Sequence, residues 1–209
     1  MMRIALSCLI ALTPAWSGPV KVSVTLLRCA EEHWQRVLAD TKPDAARLLS
    51  LAGEKKGVEA VLRAEFEVNV EEDKPTIWMD GREMEFTAGW RREDDPLALK
   101  PEAKDKRHVG TVIRAEGEFD DRKSLMDVDL DLRHDFAPPT WTTFSYPIAS
   151  DIGPRRAKTQ LKLPRFHRIE WRGAVSGRHS QPVLAASILV PAEDGTGGKA
   201  VRWFIIVTP

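Results

Sequence analysis

The stretch Trp203-Phe204-Ile205-Ile206-Val207-Thr208-Pro209 is an apolar run closed by proline. Aromatic and β-branched side chains favour a pleated strand. A run without polar alternation predicts a strand covered on both faces, at the centre of a sheet. Pro209 has no N–H to donate, so it stops the pairing. Working back from this strand, Ala200 to Thr208, Val183 to Val190 and Leu161 to Trp171 read as the last three strands. Turns are expected at Ser176-Gly177-Arg178 and at Glu193 to Gly198.

The same β signal extends upstream. Met126, Val128, Leu130 and Leu132 alternate with Asp127, Asp129, Asp131 and Arg133, so one strand face is apolar and the other charged. Val109 to Phe119 is the partner strand, joined through residues 120–124. Val58 to Val70 alternates less strictly. Thr76 to Met79, Asp80-Gly81 and Arg82 to Thr87 read as a hairpin, because Asp-Gly suits a two-residue turn. Gly89 to Arg107 is rich in charge and proline and reads as an exposed loop, as does the segment holding Pro138, Pro139 and Pro147.

Near the start, Val20, Val22, Val24 and Leu26 alternate with Lys21, Ser23 and Thr25, a half-buried strand. Two short helices follow. Trp34, Val37 and Leu38 lie at helical spacing behind Glu31 and Glu32. Ala45, Leu48, Leu49 and Ala52 form the apolar face of the second, with Thr41 as N-cap and Gly53 at its end.

Residues 1–17 read as a secretory signal peptide: Arg3, an apolar core from Ile4 to Leu12, and Ala15-Trp16-Ser17 before Gly18. A buried first element and a lipoprotein cysteine at Cys8 are the competing readings. Removing these residues leaves a single domain, 18–209, in the periplasm or outer membrane. Arg3 is the only charge lost from 31 basic and 31 acidic side chains, so the remainder carries −1. That balance argues against nucleic acid as a partner. Cys29, one of 2 cysteines, is expected to be a small buried hydrophobe.

No site stands out. Asp127-x-Asp129-x-Asp131 has the spacing of a calcium loop, but the intervening Val128 and Leu130 belong to a strand. The 5 histidines show no zinc spacing. His134 beside Asp131 and Asp135 is the one local His–carboxylate group. Gly195-Thr-Gly-Gly198 lacks the Lys of a phosphate loop. The 7 tryptophans suit buried sheet positions better than a sugar platform. No residue is therefore expected to act in catalysis, cofactor binding or metal binding, no cofactor is expected, and the chain is not read as an enzyme.

Several pieces, in order, resemble the secretin domain of type II and type III secretion-system outer-membrane channels. They are Val20 to Leu27; Thr76-Ile-Trp-Met-Asp-Gly-Arg-Glu-Met84; His108-Val-Gly-Thr-Val-Ile113 with Leu125 to Leu132; Leu163-Pro-Arg-Phe166; Ser176 to Leu184; and Ile205-Ile-Val-Thr-Pro209. Ala185-Ala186-Ser187 replaces the family's paired glycines. The lip segment and the preceding ring domains have no counterpart. The resemblance implies an α+β, mainly β fold: an antiparallel, hairpin-rich secretin-like sheet with two short N-terminal helices. It also implies a homo-oligomeric ring, secretion-system components as partners, and a structural role in protein secretion and transport. The alternative is a soluble periplasmic β-rich binding module using Trp90 or Trp141.

Overall fold

The computed structural model describes residues 18–38, 44–70, 74–92, 99–120, 123–136, 140–148, 157–191 and 199–209. Their elements run β1 (Pro19–Ala30), α1 (Glu31–His33), a π-helical turn (Trp34–Leu38), α2 (Ala45–Gly53), β2 (Val58–Asn69), β3 (Thr76–Arg92), β4 (Leu99–Asp120), β5 (Leu125–Asp135), β6 (Thr140–Ile148), β7 (Ala157–Arg165), β8 (Arg168–Arg178), β9 (Val183–Val190) and β10 (Val201–Thr208). The architecture is mainly β with two short helices, as the sequence predicts. The signal-peptide segment, Thr41, Pro138-Pro139 and the 193–198 loop lie outside the described residues.

β10 is the inner strand of a sheet ordered β2-β1-β10-β9. It pairs antiparallel with β1, with Leu26 opposite Ile205, and with β9, with Ile188 opposite Trp203. Trp203 through Val207 are all buried, so both faces of the strand are covered. On one face Phe204 and Ile206 join Leu27, Cys29, Val58 and the α2 residues Ala45 and Leu48 in one cluster. Trp34 lies against this cluster, its ring 5.0 Å from that of Phe204. The helical spacing of Ala45, Leu48, Leu49 and Ala52 aims one side of α2 at the sheet. Asp44 caps the helix: its carboxylate accepts a bond from the Ala46 N–H at 3.2 Å.

A second sheet is ordered β3-β4-β5-β8, and β6 and β7 form an antiparallel ribbon with Phe144 opposite Leu161. The chain divides into two compact units. One holds the described residues up to Thr76 with 116–129 and 174–209; the other holds 77–115 and 130–173. β4, β5 and β8 each begin in one unit and finish in the other.

Four local expectations are corrected. Asp80-Gly81 is not a turn; β3 runs straight through it for 17 residues. The expected loop from Gly89 to Arg107 is mostly strand, ending β3 at Arg92 and starting the 22-residue β4 at Leu99. Leu161 to Trp171 is broken at Phe166-His167 into β7 and β8. The turn expected at Ser176 to Arg178 falls two residues later, at His179-Ser180, where Ser180 takes φ 64°.

The first correction has a physical cause. Gly81 on β3 and Gly110 on β4 face each other with φ of 140° and 145°, conformations that L side chains rarely adopt. A Cβ on Gly81 would stand 2.8 Å from the Gly110 Cα, and one on Gly110 would stand 2.6 Å from the Gly81 Cα. The glycines serve close strand approach instead of chain reversal. Gly110→Ala is therefore expected to cost about 2 kcal/mol through backbone strain and clash. Urea unfolding of the variant measures this; a loss below about 0.5 kcal/mol would contradict the close approach described.

Candidate functional site

Strand alternation in β5 turns Asp127, Asp129 and Asp131 outward and Met126, Val128, Leu130 and Leu132 inward. The three acids thus line an exposed face, and Asp127 accepts a bond from the Ser176 hydroxyl. Asp135 continues that face at the end of the strand, yet its exposure is only 1%. Three guanidiniums cover it. Arg168 donates from Nε to Oδ1 at 2.7 Å and from Nη2 to Oδ2 at 3.2 Å. Arg133 donates from Nε to Oδ2 at 3.2 Å, and Arg107 from Nη2 to Oδ1 at 3.4 Å.

The surroundings fix these arginines. Arg168 also pairs with Glu170 at 2.8 Å. Arg107 lies over the Phe166 ring at 4.5 Å, a cation–π contact, and Phe166 is 5.5 Å from Phe86. The Phe136 N–H donates to the His167 carbonyl at 2.9 Å, holding the end of β5 beside the start of β8. Burial pushes the Asp135 carboxyl up. The Arg168 hydrogen bonds, with the charges of Arg168, Arg107 and Arg133, overcome that and hold it below the usual carboxylate range.

His134, singled out in the sequence together with Asp131 and Asp135, has a different hydrogen-bond partner. Its Nδ1 shares a 2.8 Å hydrogen bond with the Thr111 hydroxyl. Neighbouring residues in a strand point to opposite faces, so the carboxylate of Asp135 turns to arginines and not to the imidazole. Burial lowers the His134 pKa, against the pull of Asp135. Asp131 stays exposed on β5. The structure thus gives the three different surroundings: water for Asp131, Thr111 for His134 and arginines for Asp135.

A second clamp ties the helical segment to β10. Arg202 donates to both Glu31 oxygens at 2.8 Å, and its guanidinium lies 5.4 Å from the Trp34 ring centre. The Arg202 hydrogen bond holds the Glu31 carboxyl below its ordinary value despite burial. Cys29 is buried next to this clamp; burial, then the charge of Glu31, raises its thiol pKa. That makes it a poor nucleophile, in keeping with a packing role.

Of the two tryptophans proposed for ligand contact, Trp141 is 52% exposed. Trp90 is half-buried, and its indole Nε1 is buried with no partner among the described residues. It is not the open platform expected. A cavity of about 480 Å³ opens over Val22, Phe66 and Pro209, with Lys21, Glu67 and His179 on its wall. Among the described residues, no three His, Cys, Asp or Glu side chains converge as a metal site, and no helix is long and apolar enough to cross a membrane.

β3 and β4 present a polar face of their own. Glu83 pairs with Lys106 at 3.6 Å, and Glu85 pairs with Lys104. Such exposed pairs add little stability. They do make this face of β3 and β4 charged, with the two signs balanced across the strands.

No protein-family model matches the sequence, and no curated protein matches it. Among solved structures, the chain is similar to the InvG secretin domain β-barrel from the Salmonella SPI-1 injectisome, at 11% identity and a TM-score of 0.37. The alignment covers 91% of this chain and 61% of that one. It is likewise similar to the Salmonella SPI-1 type III secretion injectisome secretin InvG, at 12% identity and a TM-score of 0.39, covering 91% and 64%. The chain thus spans less than two thirds of the length of either.

Proposed function

We infer that the chain is a secretin-like structural component of the cell envelope, exported to the periplasm or outer membrane, that acts as a homo-oligomer in protein secretion. The role is structural and interactive, without catalysis. One observation carries this reading. The two glycine motifs behind the sequence resemblance, Asp80-Gly81 and Val109-Gly110, stand opposite each other on neighbouring strands, each closing the space a side chain would need on the other. Motifs far apart in the chain thus make one structural unit. The length of the strands adds support, since 17 and 22 residues far exceed the usual 5 or 6. In a ring, the face bearing Glu83, Glu85, Lys104 and Lys106 would line water, in a lumen or outside.

The exposed Trp141 and the cavity beside Phe66 favour a second reading, a soluble periplasmic binding module of the same fold. Particle size separates the two. The full chain, exported and extracted in detergent, is expected to run as a large oligomer in light scattering and to show rings by electron microscopy. Recovery solely as a soluble monomer would overturn the ring and leave the binding module.

A further inference from the structure

The two edges of the β2-β1-β10-β9 sheet are built differently. β2 carries Glu59, Arg63, Glu65 and Glu67, charges of the kind that guard a free edge. β9, Val-Leu-Ala-Ala-Ser-Ile-Leu-Val, has no charge and no proline, and no described strand pairs with its outer side. Leu189 is 48% exposed there. A register shift against β10, between Ile205 and Ile206, falls opposite Ala185. Such a bulge bends the strand and spoils pairing on that stretch. Ala186 to Val190 beyond it is regular: Ala186, Ser187, Ile188, Leu189 and Val190 each oppose one residue of β10.

We propose that this segment is an interaction surface for the same segment of a second copy of the chain, paired antiparallel about a two-fold axis through Ile188. The sequence is self-complementary in that register. Ala186 of one copy meets Val190 of the other, Ser187 meets Leu189, and Ile188 meets Ile188. Each pair lies on one face of the joined sheet, because the partners are an even number of residues apart. Small residues oppose large ones on either side of the axis, and the one charge beside them, Arg202 donating to the Ser187 hydroxyl at 3.3 Å, is already neutralised by Glu31. Pairing with the β2 edge would instead bring four charged side chains beside an apolar strand. A contact of five residues on each strand is well short of the roughly 800 Å² per partner of stable interfaces, so the pair dissociates on dilution. An isologous contact also closes on itself and yields a dimer, so it is separate from the head-to-tail contacts of a ring.

The test is a single cysteine. Directly opposed residues of antiparallel strands have Cα atoms about 4.5–5.5 Å apart, within disulfide range. Ile188→Cys at high protein concentration, with an added oxidant to take up the two electrons and two protons, is expected to give a covalent dimer. The parent for this test carries Cys8→Ser; its remaining cysteine, Cys29, is buried, and without Ile188→Cys it stays uncrosslinked. Adding Leu189→Lys, at an exposed position, is expected to cut the cross-linked fraction at least tenfold while circular dichroism is unchanged. Folded Ile188→Cys that gives no dimer overturns the proposal. So does cross-linking that requires Glu65→Cys in the same chain, since that reports β9 against β2. Rings seen without the Ile188 cross-link overturn the two-fold pair alone; the cross-linked dimer without rings overturns the ring alone.

Discussion

Phe204→Ala is expected to remove about 4 kcal/mol of stability, the range of a large aromatic deleted from a closed core. Phe204 is fully buried, between β1 and β9 on the inner strand, and faces Leu27, Leu48, Val58 and the Trp34 ring. Rigid strands on both sides keep the space from collapsing, so the cavity cost adds to the lost transfer energy. Thermal unfolding should shift down by about 10 °C for a chain of this size. Ile77→Ala is the control: at 61% exposure it should change stability by less than about 0.5 kcal/mol. Equal effects at the two positions would refute the placement of Phe204.

Asp135→Asn is expected to cost about 3 kcal/mol, the low end for breaking a buried ion pair, since Arg107, Arg133 and Arg168 are partly exposed and can regain water. The loss depends on pH, and its sign is fixed. The folded state holds the Asp135 carboxyl below its ordinary value, so the stabilisation is fully present above the unfolded value of about 4. It disappears as pH falls through the lower, folded value. Urea midpoints should therefore fall more steeply on acidification in the parent chain than in Asp135→Asn. Parallel acid limbs would show that the carboxylate is not held by the arginines.

The inner position of β10 was legible because Trp203 to Val207 offers no polar face, and only a doubly covered strand suits such a run. The alternation of β5 was legible for the same local reason. Asp80-Gly81 misled because its usual role is a local reversal, whereas here the reason for glycine is Gly110, 29 positions on. Gly89 to Arg107 misled because its charges read as a loop, while Glu83, Glu85, Lys104 and Lys106 balance one another across two strands. The Asp135 grip had no local signature. Arg107 and Arg168 come from 28 and 33 residues away, and nothing in the spacing around Asp135 points to them. Glu31 and Arg202 are 171 residues apart.

The passage of β4, β5 and β8 through both units bears on how the protein is made and cut. The chain crosses between the units after residues 76, 115, 129 and 173. Neither unit is a continuous stretch, so no truncation releases one intact, and a cut that removes part of either leaves broken strands in both. Ribosomal synthesis cannot finish the first before the second, because its strand β10 follows every residue of the second in the chain. Pairings this distant in sequence close slowly. Exchange of either unit with that of another protein would likewise have to break β4, β5 and β8.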